Sequence, residues 1–149
     1  MSYFEVRRDG FLISADPARL DFDVICDFLN RAYWAQGRPR AAVERAFAHS
    51  LPFGLYDGSR QIGMARVLSD QAVFAYLMDV FIHEDYRGRG LGKWLVETVL
   101  SHPDVKNARR WMLATDDAHG LYARHGFTLL HEPTHWMERL RPYPDEGQR

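Results

Sequence analysis

One cysteine, Cys26, stands in 149 residues, which excludes an intramolecular disulfide and any zinc centre built on several thiolates. It lies in "LDFDVICDFLN" among apolar positions, where a thiol packs as a small hydrophobe. Long hydrophobic runs are missing too: no stretch approaches the ~20 residues that span a bilayer, and "MSYFEVRRDG" lacks the apolar core of a secretory signal. A cytoplasmic location is the expectation. Nor does one sign of charge dominate. Lys and Arg number 19 against 20 Asp and Glu, a net charge of −1, so no long-range field draws the chain to nucleic acid or an acidic membrane. Any basic function has to be local.

The chain is one domain's worth of residues, so residues 1–149 are expected to form a single domain, with the tail from about 142, "RPYPDEGQR", frayed. Along it, "YFEVRRDGFLIS" has the pattern of a strand or short hairpin around Asp9-Gly10. "SADPARLDFDVICDFLNRAYW" sets Leu20, Val24, Ile25, Phe28 and Leu29 at helical spacing, and "GRPRAAVERAFAHS" puts Ala42, Val43, Ala46 and Phe47 on one face of a second helix. From 51 to 82 the period moves towards two, and "PFGLY", "RQIGMARVLSD" and "VFAYLMDVFI" form an antiparallel meander turned at "DGSR". Leu91, Trp94, Leu95 and Val99 mark an amphipathic helix. "RRWMLAT" follows as a strand, "DAHGLYARHG" as a short helix closed by Gly126, and "FTLLHE" and "THWMERL" as a final strand pair. The order β-α-α-β-β-β-α-β-α-β-β makes an α+β domain.

The stretch that carries chemistry is "DVFIHEDYRGRGLGKWLVETVL", residues 79–100. A strand ends in three alternate glycines, Gly88, Gly90 and Gly92, with Arg87, Arg89 and Lys93 around them, just where a helix begins. Glycine lets backbone N–H groups approach a ligand without a Cβ in the way, and the helix N-terminus adds unpaired donors and positive potential. The ligand should carry phosphates. A dinucleotide fingerprint fails, because its third glycine falls on Lys93 or Leu95. A Walker A loop fails at Arg87 and Trp94.

What these residues resemble is the pyrophosphate loop of the GNAT superfamily of N-acetyltransferases, Gln/Arg-x-x-Gly-x-Gly/Ala, which reads here Arg87-Gly88-Arg89-Gly90-Leu91-Gly92. A second segment, "DAHGLYARHGF", resembles the family's A-x-x-L/F-Y-x-x-x-G-F at Ala118, Leu121, Tyr122, Gly126 and Phe127. "YWAQGRP", "DGSRQIGMARV" and "GKWLVE" also look like a bacterial subgroup. The resemblance implies a central, mostly antiparallel mixed sheet of about six to seven strands flanked by four helices. It implies acetyl-CoA as acetyl donor and direct attack by a primary amine, most simply that of a small molecule, with a protein N-terminus or lysine as the other acceptor. An acyl-CoA sensor without turnover is the alternative from a different class.

Carried over residue by residue, the resemblance has the backbone of Val80, Phe81 and Ile82 pairing with the pantetheine arm, and the amides from Gly88 to Lys93 holding the pyrophosphate. The strand of Val80 and the strand after the long helix must then splay apart. Tyr122 becomes the general acid, since the leaving thiolate needs a proton and a neutral phenol has one to give. The base stays open. Asp79 is the sole carboxylate of "FAYLMDVFI", but alternation puts it on the face opposite Val80 unless a bulge intervenes; His119, an imidazole near the tyrosine, is the second candidate; a water relay is the third choice. Asp116 and Asp117 are expected to cap the helix of Tyr122.

In the family the loop between the first two helices borders the acceptor. Here Tyr33, Trp34, Arg38 and Arg40 form either an aromatic wall with guanidinium groups for an anionic substituent, or a helix end with exposed basic residues. Glu84 stands where the family often has proline. "HEPTH", His131 to His135, matches the letters of a zinc-protease helix, but Pro133 breaks any helix there, so no metal is expected. Many relatives pair through C-terminal strands, which makes a homodimer through "THWMERL" an expectation.

Overall fold

The structure, a computed structural model, describes residues 2–141. A sheet of six strands carries the fold: β1 (Glu5–Arg8), β2 (Phe11–Ser14), β3 (Leu51–Asp57), β4 (Arg60–Ser69), β5 (Phe74–Ile82) and β6 (Arg110–Met112), adjacent in that order. All neighbours are antiparallel except β5 and β6, which run parallel. The helices are α1 (Phe22–Arg31), α2 (Arg40–Ala48), α3 (Leu91–Ser101) and α4 (His119–Ala123). The expected α+β class and mixed sheet are observed.

Local chemistry explains the elements. Asp9 and Gly10 turn β1 into β2 with φ of 52° and 84°, the two positive values that a tight hairpin requires. Asp21 starts α1 by accepting the N–H groups of Asp23 and Val24 on its Oδ1 at 3.1 and 3.2 Å, satisfying donors that the helix leaves open. Helices cover both faces of the sheet. Ile25, Phe28 and Leu29 of α1 and Val43 and Phe47 of α2 pack on Met64 and Phe81, with the Phe28 and Phe81 rings stacked at 4.7 Å. On the other face, Leu91, Trp94, Leu95 and Val99 of α3 join Phe53, Leu55, Val67, Ala75 and Leu77. Cys26 is half-buried at the edge of the α1–α2 core, and burial pushes its thiol pKa up.

Two features of β5 set up the site. The first is a bulge: Arg66 pairs with Met78 but Met64 with Phe81, so β5 carries one extra residue. Ala75 and Leu77 therefore share the α3 core with Val80 and Ile82, an offset that unbroken alternation forbids. Asp79, with φ of 54°, sits at the insertion. The second is a fork. The pairing of β5 with β6 stops at Tyr76–Met112, and the remainder of β5 runs on to Ile82 without β6 beside it. The expected splay is there.

The closing strand pair is not formed. "FTLLHE" and "THWMERL" run outside the sheet, interrupted by a one-turn 3-10 helix at Pro133–His135, and Leu129, Met137 and Leu140 are exposed. Strand-forming residues need an edge to pair with, and these do not engage the outer edge of β6. The chain order through the described residues is thus β-β-α-α-β-β-β-α-β-α. The strand "RRWMLAT" is also shorter than expected, confined to Arg110–Met112. The frayed tail expected from about 142 lies outside the described residues.

Candidate active site

The fork between β5 and β6 opens into a cleft of about 430 Å³, whose walls include Val80–Ile82, Gly88, Gly90–Gly92 and Tyr122. On the phosphate side the loop depends on glycine. Gly88 and Gly90 have φ of 79° and 78°, and Gly90 is the N-cap of α3. The first helical acceptance is by Gly90 O from Trp94 N–H, at 3.1 Å. The amides of Leu91, Gly92 and Lys93 thus have no acceptor within the helix, and no side chain caps them. An anion in the cleft would meet these donors and the positive end of α3 together.

Arginines frame the loop rather than fill it. Arg87 Nε donates to Ile82 O at 2.9 Å, and its guanidinium lies 5.1 Å from the Phe81 ring centre. Arg89 stacks on Tyr86, and Lys93 is exposed. Glu84 receives Arg31 at 3.1 Å and lies 3.7 Å from Arg87, tying the end of α1 to the loop.

Tyr122 reaches the opposite wall from α4. It is buried, its ring meets Phe127 edge-on at 5.9 Å, and burial, aided by nearby Tyr33 and Asp117, pushes its phenol pKa up to about 12. The hydroxyl keeps its proton at neutral pH and can donate it. Asp117 lines the cleft instead of capping α4: the N-cap of α4 is Ala118, whose N–H is accepted by Thr115 Oγ1 at 3.1 Å. The expected capping by Asp116 and Asp117 is not observed. Asp116 instead donates its backbone N–H to Tyr33 Oη at 2.9 Å.

Asp79 lies behind the cleft wall with its side chain 1% exposed. Its Oδ2 accepts Arg66 Nε at 2.7 Å and Arg38 Nη1 at 2.9 Å, and its Oδ1 accepts Trp34 Nε1 at 3.0 Å. Burial alone would raise the carboxyl pKa, but Arg38 and Arg66 outweigh it and hold the group below the ordinary carboxylate range. The bulge leaves Asp79 facing the α1–α2 side, away from Val80. His119, exposed at the start of α4, lines a separate 550 Å³ hollow that shares Tyr122 with the cleft.

Of the four acceptor-loop residues expected, Tyr33 and Trp34 border the cleft. Arg38 is turned to Asp79, while Arg40 pairs at the surface with Asp23 and Glu44. Arg31, Tyr86 and Asp117 also line the cleft, and the sequence had not marked them as site residues. A larger groove of 770 Å³ follows β6 and residues 125–132; it holds neither the glycine loop nor the unpaired run of β5, so the smaller cleft is the candidate site. At "HEPTH", Pro133 opens the 3-10 turn and His135 bonds Glu132 at 2.6 Å.

Residues 48–129 match the acetyltransferase (GNAT) domain family. The chain is also 31% identical over 141 residues to a Gibberella zeae protein that bears the name of an acetyltransferase, covering 78% of each chain. The chain belongs to the GNAT acetyltransferases. As a GNAT protein it is an acyltransferase, and its fold agrees. A GNAT-family crystal structure from Xanthomonas campestris pv. campestris superposes with a TM-score of 0.87 at 47% identity, covering 91% of this chain and 96% of that one. A GNAT acetyltransferase from Elizabethkingia anophelis, solved with acetyl-CoA bound, shares the fold at a TM-score of 0.64 and 14% identity, covering 91% and 90%. The GNAT family match takes in both walls of the fork and the glycine loop, while Tyr33, Trp34 and Arg38 precede it.

Proposed function

We propose that the whole chain is one catalytic domain that transfers the acetyl group of acetyl-CoA to the primary amine of a small molecule. The observation that carries this reading is the convergence, in one cleft, of an unpaired strand run, an uncapped helix N-terminus and a buried phenol. The acetyl-CoA bound by the Elizabethkingia relative supports the same donor here. The backbone of Val80, Phe81 and Ile82 offers strand-type hydrogen bonds to an amide-bearing arm, and the amides from Gly88 to Lys93 hold the pyrophosphate, with Arg87 and Arg89 contributing positive charge at the rim.

In the reaction, the amine nitrogen bonds to the acetyl carbon as the carbon–sulfur bond breaks. Val80 N–H donates to the thioester oxygen as negative charge develops there. Tyr122 gives its proton to the departing sulfur. The proton lost by the amine goes to Asp117, directly or through water: Asp117 lines the cleft and its charge is felt by Tyr122, whereas Asp79 is held by three donors and His119 lies in the neighbouring hollow. Tyr33 and Trp34 flank the acceptor.

No described helix is long and apolar enough to cross a membrane; a cytoplasmic location is part of the proposal. The exposed Leu129, Met137 and Leu140 of the segment after α4 support pairing of two copies, which sedimentation would show as a doubled mass. Incubating the protein with acetyl-CoA and a pooled amine panel, with mass spectrometry of the products, tests the reaction. An acetylated small amine supports it. Acetyl-CoA binding without any product supports the sensor alternative, and no binding overturns the cleft assignment.

A further inference from the structure

We infer that Asp79 is a positioning residue that fastens the loop between α1 and α2 across the cleft as a strap. This rests on the cleft being the acyl-transfer site. The loop leaves α1 at Ala32, turns through Gly37 at φ of 83° and reaches α2 at Arg40. Its two small apolar residues, Ala32 and Ala35, are buried. Its two large aromatics, Tyr33 and Trp34, meet edge-on at 5.1 Å and stay largely exposed. A loop with so little apolar anchorage needs polar ties to hold one position.

The ties run to both walls. On the β5 side, Asp79 takes the indole N–H of Trp34 and the guanidinium of Arg38. On the α4 side, Tyr33 Oη takes the Asp116 N–H. The strap therefore bridges the two sides of the fork, and two of its fasteners, Tyr33 and Trp34, themselves line the cleft mouth. Asp79 can serve one end because the bulge turns its carboxylate to the α1–α2 side while Val80 keeps to the other. Arg66, braced by Ser50 Oγ at 3.1 Å, holds the carboxylate from β4, so the anchor belongs to the sheet and not to the loop. One aspartate thus links the conformation of β5 at Val80 to the placement of Tyr33 and Trp34.

The groups facing Asp79 are the guanidiniums of Arg38 and Arg66 and the indole of Trp34. Replacing its carboxylate by an amide leaves two cations together, so Asp79→Asn releases the strap and Arg38→Gln removes one tie while keeping the anchor. The direct readouts are the Trp34 indole N–H resonance, assigned with Trp34→Phe, and amide hydrogen exchange at Asp116. In Asp79→Asn the indole resonance moves and Asp116 exchanges at least tenfold faster, while amides of Phe53 and Leu55 in the sheet keep their wild-type rates. Arg38→Lys, retaining one donor, falls between wild type and Arg38→Gln. If Asp79→Asn does not fold, Trp34→Phe carries the test, since it leaves Asp79 between its two arginines and still quickens Asp116. Unchanged Asp116 exchange in these variants, or acceleration shared equally by Phe53 and Leu55, overturns the strap. Calorimetric titration with acetyl-CoA separates the two readings. Wild-type protein that fails to bind it contradicts the acyl-transfer cleft and leaves the exchange result to decide the strap.

Discussion

Gly90 and Gly92 stand two residues apart in one loop and differ in what they can become. Gly90 has φ of 78° with open space where a Cβ would go, whereas Gly92 has ordinary helical backbone and a Cβ there would lie 3.9 Å from Ile82 Cγ1. The first glycine is required by its dihedral, whereas nothing in the backbone or protein surroundings of the second excludes a Cβ. Gly90→Ala should therefore cost ~1–2 kcal/mol of stability from the left-handed backbone alone and weaken acetyl-CoA binding. Gly92→Ala should keep wild-type stability to within ~0.5 kcal/mol. Urea denaturation of both variants checks the difference.

Tyr122→Phe removes the proposed proton donor without removing the ring that packs on Phe127. The turnover rate should fall by ~10²-fold or more, with acetyl-CoA affinity unchanged by calorimetry. Because the phenol pKa is pushed up to about 12, the acid form persists far above neutrality, so Tyr122 contributes no loss of activity with rising pH between 7 and 10. Undiminished turnover in Tyr122→Phe would remove the assignment, and an alkaline limb in that window that disappears in Tyr122→Phe would contradict the raised pKa.

Asp117→Asn tests the proton acceptor. Turnover should fall ~10²-fold at neutral pH and recover in part as pH rises, because more of the amine is then already neutral. A variant as active as wild type at pH 7 would return the step to water.

His102 gives the fold a pH dependence of its own. The ring follows the end of α3, buried against Phe4 and Phe53 with centroids at 4.9 and 5.7 Å, and its Nδ1 accepts the Asp104 N–H. Burial disfavours the imidazolium and lowers the pKa. The unfolded chain, with an ordinary value of ~6.5, then binds more protons than the folded one, so stability rises with pH across this range. The contribution is fully present above ~6.5 and is lost as pH falls through the lower folded value. Comparing urea midpoints at pH 7.5 and 5.0 should show a larger drop for wild type than for His102→Asn.

The parts of the site that were legible in the sequence are those whose determinants are local. Gly88, Gly90 and Gly92 encode a backbone shape within five residues, and Tyr122 sits in one short helical segment. The surroundings of Asp79 were not legible: its partners Trp34, Arg38 and Arg66 lie 45, 41 and 13 residues away, brought together by packing alone. A bulge was conceivable from the strand, but its consequence, a carboxylate turned away from Val80, depends on which residue is extra. The expected aspartate cap is absent because α4 starts from Ala118 with no side-chain cap, and Thr115, three residues earlier, takes the Ala118 amide. Residues 127–140 had strand composition, yet composition does not supply an edge, and the sheet ends at β6.

The central claim is that the fork between β5 and β6, with the N-terminus of α3, holds acetyl-CoA. Titrating acetyl-CoA into uniformly 15N-labelled protein and following backbone amide resonances tests it most directly. The account predicts saturable shifts at Val80–Ile82 and Gly88–Lys93, with little change along Arg109–Met112. Shifts confined to the groove beside β6 and residues 125–132, or none at saturating acetyl-CoA, would contradict it.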